Sequence, residues 1–300
     1  MKYFCQLQFV FRNKIIQFSA GIEKQFKEGQ TLQLFSGLEA PLLAMSLILA
    51  REKIKQAECM IRMRLATTRC TNALLENSGQ KPILVITKGF SDLLEIGDQR
   101  RIDLFDIIPQ KRKSFAGPCV EVVERTDRAG QVLTIPDLSG LENQFQSLKE
   151  RGHTVAVVSF LHSYLNDENE NTVVHALQKI GFKTVIGSAK IHPFIKWLPR
   201  CEASVLEGYL NPTLNQYLHN IKEGLGGNSQ LLIMNSAGGL IGRKQYRAID
   251  SLVSGPAAGV VGASAVAKRA GFTQTINLDM GGTSTDVSRY SDCLSYQSSL

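Results

Sequence analysis

The sequence predicts an α/β fold built around mainly parallel strands, and three observations carry that expectation. Residues 82–87 and 154–160 are continuous apolar runs rather than alternating ones, the pattern of a strand covered on both faces. Stretches with helical spacing separate such runs, so strand and helix follow each other along the chain. Helix breakers stand at the joints: Gly79, Gly181 and Gly271 each follow a helical stretch.

Taken in order, residues 40–56 place apolar side chains at helical spacing and end in charge, which predicts an amphipathic helix. Thr67 or Thr68 is suited to cap a second helix running to residue 76. The apolar run at 82–87 is a buried strand. Residues 119–124 and 131–135 flank Asp127-Arg128-Ala129-Gly130, a turn sequence, and are expected to form a hairpin. A helix over 136–150 leads into the strand at 154–160, then a helix over 168–180 and a strand over 183–186. Residues 201–221 predict a long helix despite Pro212, and 231–234 a strand ending at Asn235-Ser236-Ala237-Gly238-Gly239.

The chain has 300 residues, 43% of them hydrophobic and 20% charged, which is globular composition with ample material for a core. Its net charge of +7 does not point to nucleic acid, because Arg100-Arg101, Lys111-Arg112-Lys113 and Arg243-Lys244 are short clusters without interleaved aromatics. Six cysteines (Cys5, Cys59, Cys70, Cys119, Cys201 and Cys293) form no Cys-x-x-Cys pair, so neither a zinc ribbon nor a disulfide scaffold is expected. Reduced cytoplasmic thiols fit that pattern, and for Cys70 packing is favoured over nucleophilic chemistry. The longest apolar run, residues 40–50, is shorter than the roughly 20 residues that span a bilayer, so no membrane role is expected. His153, His175, His192 and His219 have no second ligand at metal-binding spacing.

The chemistry concentrates at residues 277–289, Asn-Leu-Asp-Met-Gly-Gly-Thr-Ser-Thr-Asp-Val-Ser-Arg. Gly281 and Gly282 lack the Cβ atoms that would hold a phosphate away from the main chain. Successive N–H groups in such a turn form an anion nest, with Thr283, Ser284 and Thr285 adding hydroxyl donors. Asp279, at the strand end, is placed to hold a hydrated Mg²⁺, and Asp286 supplies a second carboxylate. An ordinary glycine hairpin would use some of these residues too, but not carboxylates on both sides. Upstream, Ser254-Gly255-Pro256-Ala257-Ala258-Gly259 opens a helix whose small residues let a second backbone approach closely. Helix, strand and phosphate hairpin in that order are the organisation of actin-like (ribonuclease H-like) ATPase lobes.

These two segments resemble the hydantoinase A/5-oxoprolinase family. Residues 67–76 (Thr-Thr-Arg-Cys-Thr-Asn-Ala-Leu-Leu-Glu), 87–97, 103–106, 120–125 and 161–166 continue the resemblance in order, covering roughly residues 31–300. The resemblance implies ATP- and Mg²⁺-dependent opening of a cyclic amide, such as 5-oxoproline or a hydantoin, through phosphorylation of the amide oxygen. It implies nucleotide contacts at Asp279, Gly281, Gly282, Thr283, Thr285, Asp286 and Gly255. It also implies substrate contacts at Thr67, Thr68, Asn72 and His162, and a hydantoinase B-type partner subunit or domain. The expected organisation is an N-terminal segment 1–30, an α/β region 31–245, and the start of a second ATPase lobe at 246–300.

Departures from the family pattern support an alternative. Ala66 stands for a glycine, Asp167 for a proline and Asn169 for a histidine, and no Asp-x-Gly-Gly-Thr loop precedes residue 279. The lobes are therefore expected to be incomplete, and the alternative is a catalytically inactive, truncated relative that binds nucleotide or supports a partner. A sugar-kinase or chaperone-like ATPase would share the hairpin but leave residues 66–125 unexplained. His162, Ser163 and Asn166 fall just beyond a strand's carboxyl end, where open α/β sheets bind ligands, although a capped strand-to-helix loop would use the same residues. Residues 235–239 could approach the nucleotide or simply form a left-handed turn.

Overall fold

The computed structural model describes residues 38–99, 105, 114–227, 229–280 and 285–291, with the backbone alone at Glu58, Asp279 and Asp286. The first elements are α1 (Ala40–Arg51), β1 (Arg62–Leu65), α2 (Arg69–Leu75), β2 (Ile83–Thr87), α3 (Leu93–Ile96) and β3 (Cys119–Val122). There follow β4 (Arg125–Thr126), β5 (Val132–Thr134), α4 (Leu141–Glu150), β6 (Val155–Ser159), α5 (Glu168–Ile180) and β7 (Thr184–Gly187). The last are α6 (Ser188–Ile191), α7 (Trp197–Leu225), β8 (Gln230–Met234), β9 (Leu240–Gly242), α8 (Ser254–Arg269), β10 (Gln274–Met280) and β11 (Thr285–Ser291). The chain divides into two compact units, Met1–Leu65 with Tyr217–Leu232, and Ala66–Gln216 with Ile233–Leu300.

In the first unit α1 begins with a first-turn proline, which loses no helical hydrogen bond there, and buries Leu42 and Leu43. The helix stops at Arg51, short of the expected residue 56. The charged run Arg51-Glu52-Lys53 offers no apolar stripe, and Lys53 turns left-handed at φ 56°. At Gly224 the lack of a side chain admits Leu42, whose Cδ2 would lie 2.9 Å from a Cβ. Gln56 Nε2 donates to the Gly224 carbonyl at 2.8 Å, and Gln230 N–H donates to the Ile61 carbonyl at 2.8 Å.

The second unit is built on a four-stranded parallel sheet in the order β3-β2-β6-β7. Every residue of β2 and β6 is buried, as their unbroken apolar runs require. One face packs Ile83, Val85, Ala156 and Val158 against Phe145 and Leu148 of α4 and Val173 and Leu177 of α5. The other packs Leu84, Ile86 and Val157 against Leu94 of α3 and Trp197, Cys201 and Val205 of α7. The sheet is thus sandwiched between helices. α7 rests directly on it at Gly208, where a Cβ would lie 2.8 Å from Val157 Cγ2 and 3.2 Å from Pro82 Cβ.

The expected hairpin between 119–124 and 131–135 is a correction. Residues 119–122 pair in parallel with β2, and the antiparallel pair is the shorter β4–β5, closed by Asp127. Alternation in a strand reports which residues face the core, not which strand lies alongside. The helix expected over 136–150 begins only at Leu141, because Asp137 Oδ1 instead closes a local turn onto the N–H of Ser139 at 3.0 Å.

At the chain's far end α8 packs against β10 and β11, which pair antiparallel. Residues 249–269, spanning α8, are long and apolar enough by composition to cross a bilayer, with a mean hydropathy of 1.3. Valine supplies most of that value, with Ile249, Leu252 and the alanines adding the rest. Close approach to a second backbone does not run along the helix: a Cβ at Gly262 would meet open space.

Candidate functional site

Two places carry chemistry, both in the second unit. The first is the β10–β11 hairpin. Its register pairs Asp279 with Asp286 and Met280 with Thr285, so the two acids sit opposite each other at the base of the turn. Directly opposed residues in an antiparallel ladder hold their Cα atoms about 5 Å apart. The tip, Gly281, Gly282, Thr283 and Ser284, lies outside the described residues. Thr285 is exposed.

The start of α8 brings two expectations to one corner. Ser254 Oγ donates to the Thr67 carbonyl at 3.1 Å, and a Cβ on Gly255 would come within 2.8 Å of Thr68 Cγ2. Thr67 Oγ1 accepts the Arg69 N–H at 3.2 Å, so it, not Thr68, closes the turn into α2. Asn72 lies one turn along α2, its N–H bonded to the Thr68 carbonyl at 2.8 Å. Cys70 beside it is buried, which pushes its thiol up to about 11, and a thiol held neutral is a packing group rather than a nucleophile. Residues 235–239 form the turn rather than an open nest. Asn235 Oδ1 already accepts the N–H groups of Ala237 at 3.1 Å and Gly239 at 2.8 Å.

The second place is the carboxyl edge of the parallel sheet. β2 leads to α3 on one face and its neighbour β6 leads to α5 on the other. The chain parts in opposite directions there, the switch point at which open α/β sheets form a crevice. Leu161 N–H donates to Thr87 Oγ1 at 3.2 Å across that point. Thr87 Oγ1 donates to Glu124 Oε1 at 2.5 Å, and Asn169 Nδ2 donates to Glu124 Oε2 at 2.9 Å. His162, half-buried, has its pKa lowered, first by burial and then by the charges of Arg125 and Arg200, with Asp127 and Glu124 opposing. The imidazole is therefore neutral near pH 7.

Next to it lies a buried ionic network. Glu170 accepts from Ala189 N–H at 2.8 Å, Ser188 Oγ at 2.9 Å and Phe160 N–H at 3.4 Å. Arg200, fully buried, donates to the carbonyls of Phe160 and Leu161 at 2.7 and 2.8 Å and of Phe194 at 2.7 Å. Burial raises the Glu170 pKa and lowers that of Arg200. Ser163 and Asn166 serve the loop: Ser163 Oγ donates to the Phe160 carbonyl, and Asn166 Oδ1 accepts the Glu168 N–H that opens α5. Of that trio only His162 keeps a polar atom for a ligand.

Sequence reasoning missed Thr87, Glu170 and Arg200 as members of this edge, and held Glu124 only inside the 120–125 segment of the family resemblance. An acid in a helix's first turn normally reads as a dipole partner. Among the described residues no group of three His, Cys, Asp or Glu is arranged to hold a metal.

Residues 20–181 match the hydantoinase/oxoprolinase N-terminal region, and residues 200–297 match the hydantoinase/oxoprolinase domain. The chain belongs to the hydantoinase/oxoprolinase family. Among curated members it is 34% identical over 260 residues to the 5-oxoprolinase of Saccharomyces cerevisiae, covering 77% of this chain and 20% of that protein. It is 30% identical over 239 residues to the acetone carboxylase beta subunit of Xanthobacter autotrophicus, covering 73% of this chain and 33% of that one. The chain thus spans about a fifth of the length of the 5-oxoprolinases it matches.

Solved structures agree on the fold. A nucleotide-free acetone carboxylase superposes with a TM-score of 0.73 at 26% identity, over 87% of this chain and 40% of that one. The ATP-dependent caprolactamase of Pseudomonas jessenii gives a TM-score of 0.66 at 22% identity, over 92% of this chain and 41% of that chain. The α/β architecture with its parallel sheet is that of an actin-like lobe in this hydantoinase/oxoprolinase family member.

Proposed function

We propose that this chain is the nucleotide-handling and ring-handling region of an ATP-dependent enzyme that opens a small cyclic amide, 5-oxoproline or a hydantoin. The observation that carries this reading is the register of Asp279 opposite Asp286 around the Gly-Gly-Thr-Ser tip, in a member of this family. The donor set fits the group: Mg²⁺ prefers carboxylate and water oxygens, and two aspartates at one ladder position offer the former. Asp279 would hold the ion through water, Gly281, Gly282, Thr283 and Thr285 would receive phosphate oxygens, and Gly255 is assigned to the same nucleotide. ATP supplies the phosphoryl group that makes the amide carbon a better electrophile. Relatives described as ATP-dependent, acetone carboxylase and caprolactamase, support the nucleotide assignment.

The name of the acetone carboxylase beta subunit supports a multi-subunit partnership, for which a hydantoinase B-type subunit or domain is the candidate. The free thiols of Cys59, Cys70, Cys119 and Cys201 support a cytoplasmic setting. The test is Mg²⁺-ATP binding to the purified chain, with and without Asp279→Ala. The substitution is expected to weaken binding at least about tenfold, the scale of losing a charge-stabilised contact. Equal affinity in the two proteins removes Asp279 from the nucleotide site.

A further inference from the structure

The loop that leaves β2 turns its backbone donors toward solvent, and the neighbouring strand fills them. Gly89 N–H and Ser91 N–H both donate to one atom, Glu121 Oε1, at 2.9 and 3.3 Å. The Ser91 hydroxyl joins them. Glu121 stands opposite Ile86 in the β2–β3 ladder, so its side chain reaches past the end of β2 to the loop. Lys88, Gly89, Ser91 and Glu121 are all exposed, and a Cβ on Gly89 would meet nothing within 4 Å. The position is therefore open to a small molecule. Residues 88–91 lie within a segment of the family resemblance, 87–97, that the nucleotide reading above does not use.

The loop does not need Glu121 to keep its shape. Lys88 N–H continues the ladder onto the Val122 carbonyl at 2.9 Å, and Leu93 N–H closes the far end onto the Phe90 carbonyl at 3.1 Å. Between them the Phe90 ring packs edge-on against Trp197, with centroids 4.9 Å apart. Gly89 takes φ +90°, a value that a side chain would strain and that lets nearby N–H groups face one point. Water serves exposed N–H groups equally well, and ordering a long glutamate side chain in open solvent costs conformational entropy. Glu121 is held there nonetheless, because the donors converge where negative charge is favoured. Its carboxyl is kept below the ordinary 4.5, first by the Gly89 N–H and then by the Ser91 hydroxyl, with the Lys88 charge acting the same way.

We propose that Gly89 N–H, Ser91 N–H and the Ser91 hydroxyl form a binding site for the carboxylate of a small-molecule ligand, with Glu121 as the built-in occupant that such a carboxylate displaces. Two backbone donors on one oxygen suit a single anionic oxygen, and the group already seated there is a planar, singly charged carboxylate. Lys88 supplies the nearby positive charge. The tethered Glu121 competes at high effective concentration, so an external carboxylate binds weakly until Glu121 moves out. The inference rests neither on the nucleotide assignment nor on the cyclic amide.

The test uses the full chain, ¹⁵N-labelled, as wild type and as Glu121→Ala, titrated with acetate and separately with inorganic phosphate at constant ionic strength. The amide signals of Gly89 and Ser91 are the readout. In Glu121→Ala, acetate is expected to move both saturably, with an affinity at least about tenfold higher than in the wild type. No saturable movement in that variant, equal affinities in the two proteins, or a response to phosphate but not to acetate each overturns the proposal. Glu121→Gln keeps the side-chain length without the charge and is expected to fall between the two. The wild type carries a readout of its own: both amide signals should follow the Glu121 titration, with a midpoint below 4.5. Signals that ignore that titration show that the carboxylate is not seated there, and overturn the proposal as well.

Discussion

Arg200 and Glu170 are joined through a single hydroxyl. Ser188 Oγ accepts from Arg200 Nε at 3.2 Å and donates to Glu170 Oε2 at 2.9 Å, so two buried charges from α7 and α5 meet at the first residue of α6. The remaining Arg200 donors fix the carbonyls at the end of β6, which set the course of the loop carrying His162. A buried pair of this kind is weak evidence for stability as a whole, but losing one member leaves the other uncompensated.

Arg200→Met should therefore destabilise the second unit by about 3–5 kcal/mol, the usual cost of breaking a buried pair from one side. Urea unfolding followed by far-ultraviolet circular dichroism measures it. A loss below about 1 kcal/mol would mean that the pair has little structural role.

Glu170→Gln separates charge from shape. Burial raises the Glu170 carboxyl above its ordinary value of 4.5. The folded chain then keeps a proton at pH values where the unfolded chain has released it. The stability contributed by that group is fully present below about 4.5 and is lost as pH rises through the raised folded value. Glutamine does not titrate, so the variant should gain on the wild type as pH is raised from 4.5 toward neutrality, by up to about 1.4 kcal/mol per unit inside the window. Parallel stability curves for the two proteins would show that Glu170 ionises normally.

Gly208→Ala tests the contact between helix and sheet. The added methyl would meet Val157 Cγ2 at 2.8 Å and Pro82 Cγ at 3.3 Å, atoms held by the sheet and unable to swing aside. Overpacking there should cost about 1–3 kcal/mol even though alanine is the better helix former. A more stable variant would mean that α7 does not rest on β6 at this residue.

The parts of the fold that could be read in advance were those where one local rule acts alone. β2 and β6 are apolar at every position, and only a strand covered on both faces needs that. β3 was harder, because its buried and exposed residues alternate, and the turn residues 127–130 suggested an antiparallel partner. Its true neighbour, β2, was chosen by crossover topology, which a local pattern does not encode. His162 was legible from its place after a buried strand. Arg200 and Glu170 were not, because a buried charge is recognised only through a partner thirty residues away. The opposition of Asp279 and Asp286 could be read as two acids flanking a short turn, and the ladder gives them a common position.

His162 offers the most direct check on the sheet edge, because its titration reports its surroundings without any ligand. Burial is the main cause lowering its pKa from 6.5, and the positive charges of Arg125 and Arg200 act the same way. Asp127 and Glu124 face it with the opposite sign and do not reverse the direction. Between the lowered folded value and 6.5 the unfolded chain binds more protons, so the stability contributed here is present above 6.5 and is lost as pH falls through the folded value. The His162 ring signals should therefore titrate with a midpoint below 6.5 by nuclear magnetic resonance. Arg125→Gln removes one of the two repelling charges but leaves the burial, so the midpoint should rise while staying under 6.5. A wild-type midpoint at or above 6.5 would mean that His162 is solvated and that burial does not set its titration.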